Sequence, residues 1–167
     1  LLLQERAEAQ AASPGAPTGV GPTLLVVPMS VVGNWVRECR RFAPTLRVMV
    51  HHGVQRAKGQ SLLDAALAND LVITTYALAH RDRDDLEPVP WHRVALDEAQ
   101  NVKNPAAKQT QAVRSLDAPR RMALTGTPIE NRLSELWSVM DFLNPGLLGT
   151  LGEFRTLFAV PVERYHD

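Results

Sequence analysis

Two carboxylates, Asp97 and Glu98, stand side by side at the end of an apolar run, Val94-Ala95-Leu96, in the segment Leu96-Asp97-Glu98-Ala99-Gln100. Such a run reads as a parallel strand covered on both faces, whose C-terminal end presents side chains to a ligand in the crevice beyond the sheet. Paired acids at that place suit nucleoside-triphosphate chemistry. One supplies hard oxygen ligands to Mg²⁺, and the other orients or polarises the attacking water. Further on, Leu124-Thr125-Gly126-Thr127-Pro128 is a second strand end, now carrying hydroxyls and a Gly–Pro turn. In this order and spacing the two strand ends suggest a molecular motor. Taken singly, each has a plainer reading. The acid pair is then an exposed acidic turn, and Thr125-Gly126-Thr127 is a strand-to-helix turn in which Gly allows the bend and Thr caps locally.

The wider pattern favours the motor. Asp97-Glu98-Ala99-Gln100, Val102-Lys103-Asn104, Leu124-Thr125-Gly126-Thr127-Pro128-Ile129-Glu130-Asn131-Arg132-Leu133 and Glu135-Leu136-Trp137 together resemble the SWI/SNF-type ATPases. These are superfamily-two motors that translocate along double-stranded DNA and remodel complexes bound to it. Leu24-Leu25-Val26-Val27-Pro28 with Ser30 and Trp35 resembles their motif Ia, and Asp70-Leu71-Val72-Ile73-Thr74-Thr75-Tyr76 their motif Ib. The resemblance runs from about Leu24 to Pro145.

The resemblance implies a RecA-like P-loop NTPase fold, an α/β three-layer architecture with a mostly parallel sheet, incomplete at the N-terminus. Residues 1–146 would form part of the first RecA-like lobe, and residues 147–167 the start of the connection toward the second. No G-x-x-x-x-G-K-[ST] phosphate loop occurs, and no Gly is followed by Lys. The chain opens in Leu1-Leu2-Leu3-Gln4-Glu5-Arg6, which reads as a helix already under way, so the expected starting point is just after the loop. ATP and Mg²⁺ are the implied cofactors, in the complete protein. The alternative is a catalytically idle RecA-like module that binds DNA or a protein and has lost the phosphate loop.

Roles follow residue by residue from the same resemblance. Asp97 would hold Mg²⁺ and Glu98 would act on the water, as the catalytic pair. Gln100, Thr125, Gly126 and Thr127 would couple that pair to the nucleic-acid track. Ser30, Thr74, Thr75, Lys103, Asn104 and Asn131 would contact double-stranded DNA through its phosphates, since a motor stepping along any sequence reads backbone and shape rather than base edges. Plain alternatives stand beside two of these: Ser30 as a helix cap and Lys103 as a solvated loop lysine. The second RecA-like lobe of the same polypeptide would be a partner, because ATP in such motors sits between two lobes. That lobe would supply the arginine that stabilises transition-state charge, worth ~10³–10⁵ in rate. This chain by itself is therefore expected to be inactive. A DNA-bound protein complex is a further partner in this class.

Bulk properties set limits. The 167 residues, 45% hydrophobic, are one domain in size and can bury a substantial core. Eighteen basic residues balance eighteen acidic ones, so any DNA contact must come from a local patch rather than net charge. A lone cysteine, Cys39, excludes an intramolecular disulfide framework and reads as a small buried hydrophobe on a helix. No apolar stretch reaches the ~18–20 residues that span a bilayer and no signal peptide is visible, so no membrane partner is expected and the expected compartment is intracellular, cytoplasmic (nucleoid) if bacterial and nuclear if eukaryotic.

Alternating strands and helices must position the motifs. A helix is expected over residues 1–11 and a flexible Ala/Ser/Pro/Gly/Thr run over 12–22. Leu24–Val27 reads as a buried strand. Next comes a helix capped by Ser30 and ended by Pro44, with Val31, Val32, Trp35, Val36, Cys39 and Phe42 at helical spacing. Strands follow at Leu46–Val50, Leu71–Thr75, Arg93–Leu96 and Arg121–Leu124, with helices at Ser61–Ala68 and Ala106–Leu116. A last helix opens at Asn131 or Arg132, with Leu133, Leu136, Trp137, Met140 and Leu143 on one face. This alternation implies a doubly wound, mostly parallel sheet. His51 and His52, adjacent on a strand, point to opposite faces and do not read as a metal site. The run Arg81-Asp82-Arg83-Asp84-Asp85 reads as a solvated loop of mixed charge. Trp91 and Trp137 read as packing residues.

Overall fold

The computed structural model describes residues 1–12, 20–127 and 133–162. Good helix formers make α1 (Leu2–Ala12). The apolar run after it forms β1 (Thr23–Val27), buried along its whole length. A 3₁₀ turn at Met29–Val31 leads into α2 (Val32–Phe42), then β2 (Val48–Val50), α3 (Gly59–Leu67) and β3 (Leu71–Thr75), again wholly buried. Two short helices, α4 (Tyr76–Arg81) and α5 (Arg83–Leu86), precede β4 (Arg93–Asp97). A 3₁₀ turn at Ala99–Val102, α6 (Lys108–Ser115), β5 (Arg120–Leu124), α7 (Leu133–Leu143) and α8 (Leu151–Phe154) complete the order, with a π-type turn at Arg155–Ala159.

The five strands form one all-parallel sheet in the order β2-β3-β1-β4-β5. Successive side chains of a strand face opposite ways, and the strands use both faces. Leu24, Val26, Val72, Val94 and Leu96 pack against Leu62 of α3, Val113 of α6 and Phe142 of α7. Leu25, Val27, Ile73 and Ala95 pack against Val32, Trp35, Val36 and Cys39 of α2. Two-sided burial explains why the central strands are continuous apolar runs rather than alternating ones. The chain leaves β1 toward the β2 edge and leaves β4 toward β5. The sheet therefore has a topological switch point at the C-terminal ends of β1 and β4, the standard place for a ligand crevice.

Several boundaries differ from the sequence expectation, each for a local reason. β2 begins at Val48 rather than Leu46, because the Leu46 amide closes a turn on the Ala43 carbonyl. α3 begins at Gly59, with Ser61 inside its first turn, where its hydroxyl bonds both the amide and the carbonyl of Lys58. α6 begins at Lys108 because Asn104 holds the amides of Ala106 and Ala107 in a turn. Ser30 is not the expected cap. It is exposed within the Met29–Val31 turn, and no side chain caps α2. The opening of the last helix at Asn131 or Arg132 lies outside the described residues.

The charged run at 81–85 departs from the sequence reading in being helical rather than a loop and in one buried residue, while Arg81, Arg83 and Asp84 are exposed as expected. Arg81 ends α4, residues 83–85 lie in α5, and Asp82 at the junction is 4% exposed. Asp82 accepts from the Arg56 guanidinium through both carboxylate oxygens and pairs with His51 Nε2 at 2.9 Å. These bonds, that to Arg56 foremost, hold the Asp82 pKa down to about 2. Burial lowers that of His51, which is fully buried, while its neighbour His52 is exposed. The cluster ties the loop after β2 to the α4–α5 junction.

Trp91 and Trp137 are core residues, as expected. Trp137 packs with Phe154 and Ala159, and its indole N–H donates to the Gly149 carbonyl at 3.2 Å, which fastens the segment after α7 onto the domain.

Candidate functional site

β4 carries the acid pair to the switch point. Asp97 is its last residue, in register with Leu124, the last residue of β5, so the two strand ends predicted to act together lie side by side. Both carboxylates are half-buried. The Asp97 Oδ2 accepts from the Trp35 indole Nε1–H at 2.7 Å, and Oδ1 accepts from the Glu98 amide at 3.0 Å. The Asp97 carbonyl accepts from the Tyr76 hydroxyl at 2.7 Å. Burial, with the charges of Asp97 and Glu98, pushes the Tyr76 phenol well above its usual range, so it remains a protonated donor.

Glu98 is the one non-glycine residue with positive φ among those described, at φ 50° and ψ 57°. Left-handed backbone costs an L-residue roughly 1–2 kcal/mol. Such strain is held at functional sites by the structure around them. The turn aims the two adjacent acids differently. Asp97 meets Trp35 of α2, whereas the Glu98 Oε2 accepts from the Gln100 Nε2 at 2.8 Å. The chain of bonds continues. The Thr125 hydroxyl donates to the Gln100 Oε1 at 2.7 Å, and the same hydroxyl oxygen accepts from the Thr127 amide at 3.1 Å. Glu98, Gln100, Thr125 and Thr127 are thus one hydrogen-bonded line from the acid to the turn after β5. Gly126 and Thr127 are exposed.

The residues expected to touch phosphates scatter more. Ser30 and Asn104 are exposed and Lys103 is half-buried. Thr74 is fully buried, and its hydroxyl donates to the His51 carbonyl at 3.2 Å. Thr75 is 5% exposed, and its hydroxyl accepts from the Leu78 amide as the cap of α4. These two threonines knit the strand end inward and present no open surface to a phosphate. Asn131 lies outside the described residues.

Asp97 is the side chain suited to a metal. A carboxylate offers about four acceptor positions, and protein donors take two of Asp97's. No cluster of three or more His, Cys, Asp or Glu able to hold an ion occurs among the described residues. A cation on Asp97 would therefore complete its shell with water and phosphate oxygens, the usual habit of Mg²⁺.

Residues 3–167 match the family model of the SNF2-related domain. YwqA of Bacillus subtilis, which carries the name of an ATP-dependent helicase/translocase, is 46% identical over 146 residues, 87% of this chain and 16% of its own length. The TATA-binding protein-associated factor mot1 of Aspergillus fumigatus is 42% identical over 143 residues, 84% of this chain and 7% of its own. The SWI2/SNF2 ATPase core of Sulfolobus solfataricus, solved in complex with double-stranded DNA, superposes with a TM-score of 0.78 at 41% identity. That match covers 94% of this chain and 31% of the other. The chain belongs to the SNF2-related family, and its sheet and flanking helices are the RecA-like fold of that ATPase core. It spans only a small part of the length of the relatives it matches.

Two residues of the site escaped sequence reasoning in their actual capacity. Trp35 and Tyr76 look like apolar positions of a helix and a strand end. Their polar tips reach Asp97 from 62 and 21 residues away, and neither separation leaves a local pattern.

Proposed function

We propose that this chain is part of the first RecA-like lobe of a DNA-dependent ATPase that translocates along double-stranded DNA. Residues 1–146 are the lobe, and residues 147–167 begin the connection toward a second lobe of the same polypeptide. The observation that carries the reading is the line of hydrogen bonds from Glu98 through Gln100 to Thr125 and the Thr127 amide. It joins the acid to the adjacent strand end, as a motor that links hydrolysis to movement requires.

In this reading Asp97 would hold the Mg²⁺ of a bound nucleotide, an ion whose chemistry would be to offset phosphate charge. Glu98, aimed away from Asp97 by its left-handed turn, orients the attacking water and accepts its proton. Gln100, Thr125, Gly126 and Thr127 transmit the state of that acid. DNA phosphates meet Ser30, Lys103, Asn104 and Asn131, while Thr74 and Thr75 shape the strand end behind them. The double-stranded DNA in the archaeal structure supports the choice of track, and the name of the mot1 relative supports a DNA-bound protein as the remodelled cargo. An intracellular location goes with a DNA substrate, and no helix of the described residues is long and apolar enough to cross a membrane.

The test is ATP turnover by the full-length protein with and without double-stranded DNA, beside its Glu98→Gln variant. The expected result is DNA-stimulated turnover that falls by about 10²–10⁴ in the variant, with nucleotide binding retained. Wild-type turnover by Glu98→Gln would sink the assignment of the acid. No turnover by the folded wild type would leave the idle-module reading.

A further inference from the structure

Asp97 is held from both faces of the sheet. Trp35 rises from α2, within the core on one side, and its indole N–H donates to the Oδ2 at 2.7 Å. Tyr76 opens α4 and belongs to the core on the other side. Its hydroxyl donates to the Asp97 main-chain carbonyl at 2.7 Å. The indole N–H is a donor only, and the phenol, 5% exposed, spends its one O–H on the carbonyl. Neither donor bonds another group in the described structure. The two bonds therefore fix separate things: Trp35 sets the rotation of the carboxylate, and Tyr76 sets the backbone from which it projects.

We infer that Trp35 and Tyr76 are positioning residues for the metal-bearing acid, and that Trp35 makes the orientation of Asp97 depend on the seating of α2. The inference rests on the proposed role of Asp97. Its physical basis is the behaviour of metal-site carboxylates generally, whose orientation is set by the hydrogen bonds behind them. Loss of such a supporting bond typically costs 10–100-fold in metal affinity or activity. With Oδ2 pinned by the indole and Oδ1 by the Glu98 amide, the remaining lone pairs point in fixed directions. Removal of the indole donor frees the carboxylate to rotate away from the ion. α2 follows directly on the exposed Ser30 turn, so whatever seats that turn also seats Trp35. This route to the acid pair is physically separate from the Gln100–Thr125 line, since it arrives on Asp97 rather than on Glu98.

The experiment uses the full-length protein and three substitutions. Trp35→Phe and Tyr76→Phe each delete one donor and keep an aromatic ring. Val36→Ala, next to Trp35 on α2, trims packing and leaves both bonds to Asp97. For each, the Mg²⁺ midpoint for binding a fluorescent ATP analogue is measured, together with kcat and KM for ATP and the thermal midpoint. Trp35→Phe is expected to raise the Mg²⁺ midpoint about 10–100-fold and to lower kcat, with KM for ATP at saturating Mg²⁺ changed less than about threefold. Tyr76→Phe moves the Mg²⁺ midpoint the same way by a smaller factor. Val36→Ala lowers the thermal midpoint and leaves the Mg²⁺ midpoint at the wild-type value. A wild-type Mg²⁺ midpoint in Trp35→Phe overturns the inference. So does an equal shift in Val36→Ala, which would make the effect one of packing alone. Failure of the underlying reading looks different: wild-type protein would then bind the nucleotide with no Mg²⁺ dependence, or Glu98→Gln would turn over ATP normally.

Discussion

The residues whose places sequence read best are those whose pattern is local. Asp97 and Glu98 are neighbours at the end of an apolar run, and the Thr-Gly-Thr turn is contiguous, so the strand ends that carry them were visible before any fold was known. Asp82 was not. Its charge is part of a run that looks solvated, and its partners Arg56 and His51 lie 26 and 31 residues away. The pH dependence of stability should expose it. His51 has a folded pKa below its ordinary value. As pH falls through about 6.5 the unfolded chain takes up a proton that the folded chain does not, and stability drops. Asp82 acts lower on the scale. Its folded pKa is about 2, against an ordinary value near 3.8, so its contribution is complete above about pH 4 and is lost as pH falls toward 2. Asp82→Asn should remove that lower leg from an unfolding profile taken by urea at a series of pH values. It should also lower stability at neutral pH, where the buried carboxylate that joins Arg56 to His51 is lost. An unchanged profile below pH 4 would assign the acid sensitivity elsewhere.

Elements were legible as far as hydrophobic period reaches. Four of the five strands lie within one residue of the expected bounds, because buried parallel strands are apolar throughout. Short helices such as α4 and α5 carry too few turns to show a period, and the caps that start them are single residues. Thr75 shows the difficulty: a hydroxyl at a strand end suits a phosphate contact and a helix cap equally, and burial decided for the cap. Thr125 has the opposite outcome. Its hydroxyl bonds another element, reaching Gln100 in the turn after β4, so β4 and β5 are linked by a side-chain bond beyond their ladder. A Thr125→Ala, Thr127→Ala double variant of the full-length protein should retain DNA-stimulated ATP hydrolysis within about an order of magnitude and lose most translocation, as read by displacement of a triplex-forming strand. Equal loss of both activities together with a lowered thermal midpoint would reduce the turn to a structural part.

At the scale of the molecule, the α/β class and sheet direction followed from the strand–helix alternation, whereas the order β2-β3-β1-β4-β5 did not, since strand neighbours are fixed by tertiary packing. That order leaves β5 at an edge, paired only with β4 among the described residues and partly exposed where β1 and β3 are buried. Beside it, an apolar hollow of about 310 Å³ runs between α2 and the sheet, walled by Leu2, Leu25, Phe42, Met122 and Leu124. An unpaired strand edge next to open apolar surface is a template for association. The 167-residue chain should therefore show an average mass in light scattering that rises with concentration. A mass fixed at 18.4 kDa would contradict this.

The same edge has a consequence for time as well as for contact. Strands gripped on both sides open only when the whole domain opens, whereas a strand gripped on one side can part from the sheet at much smaller cost. Among the described strands β4 is gripped on both sides and β5 on one, so in this chain the acid stands on the firmer strand and the turn that answers it on the looser one. In the 167-residue chain, opening of the Thr125–Gln100 bond therefore need not disturb Asp97.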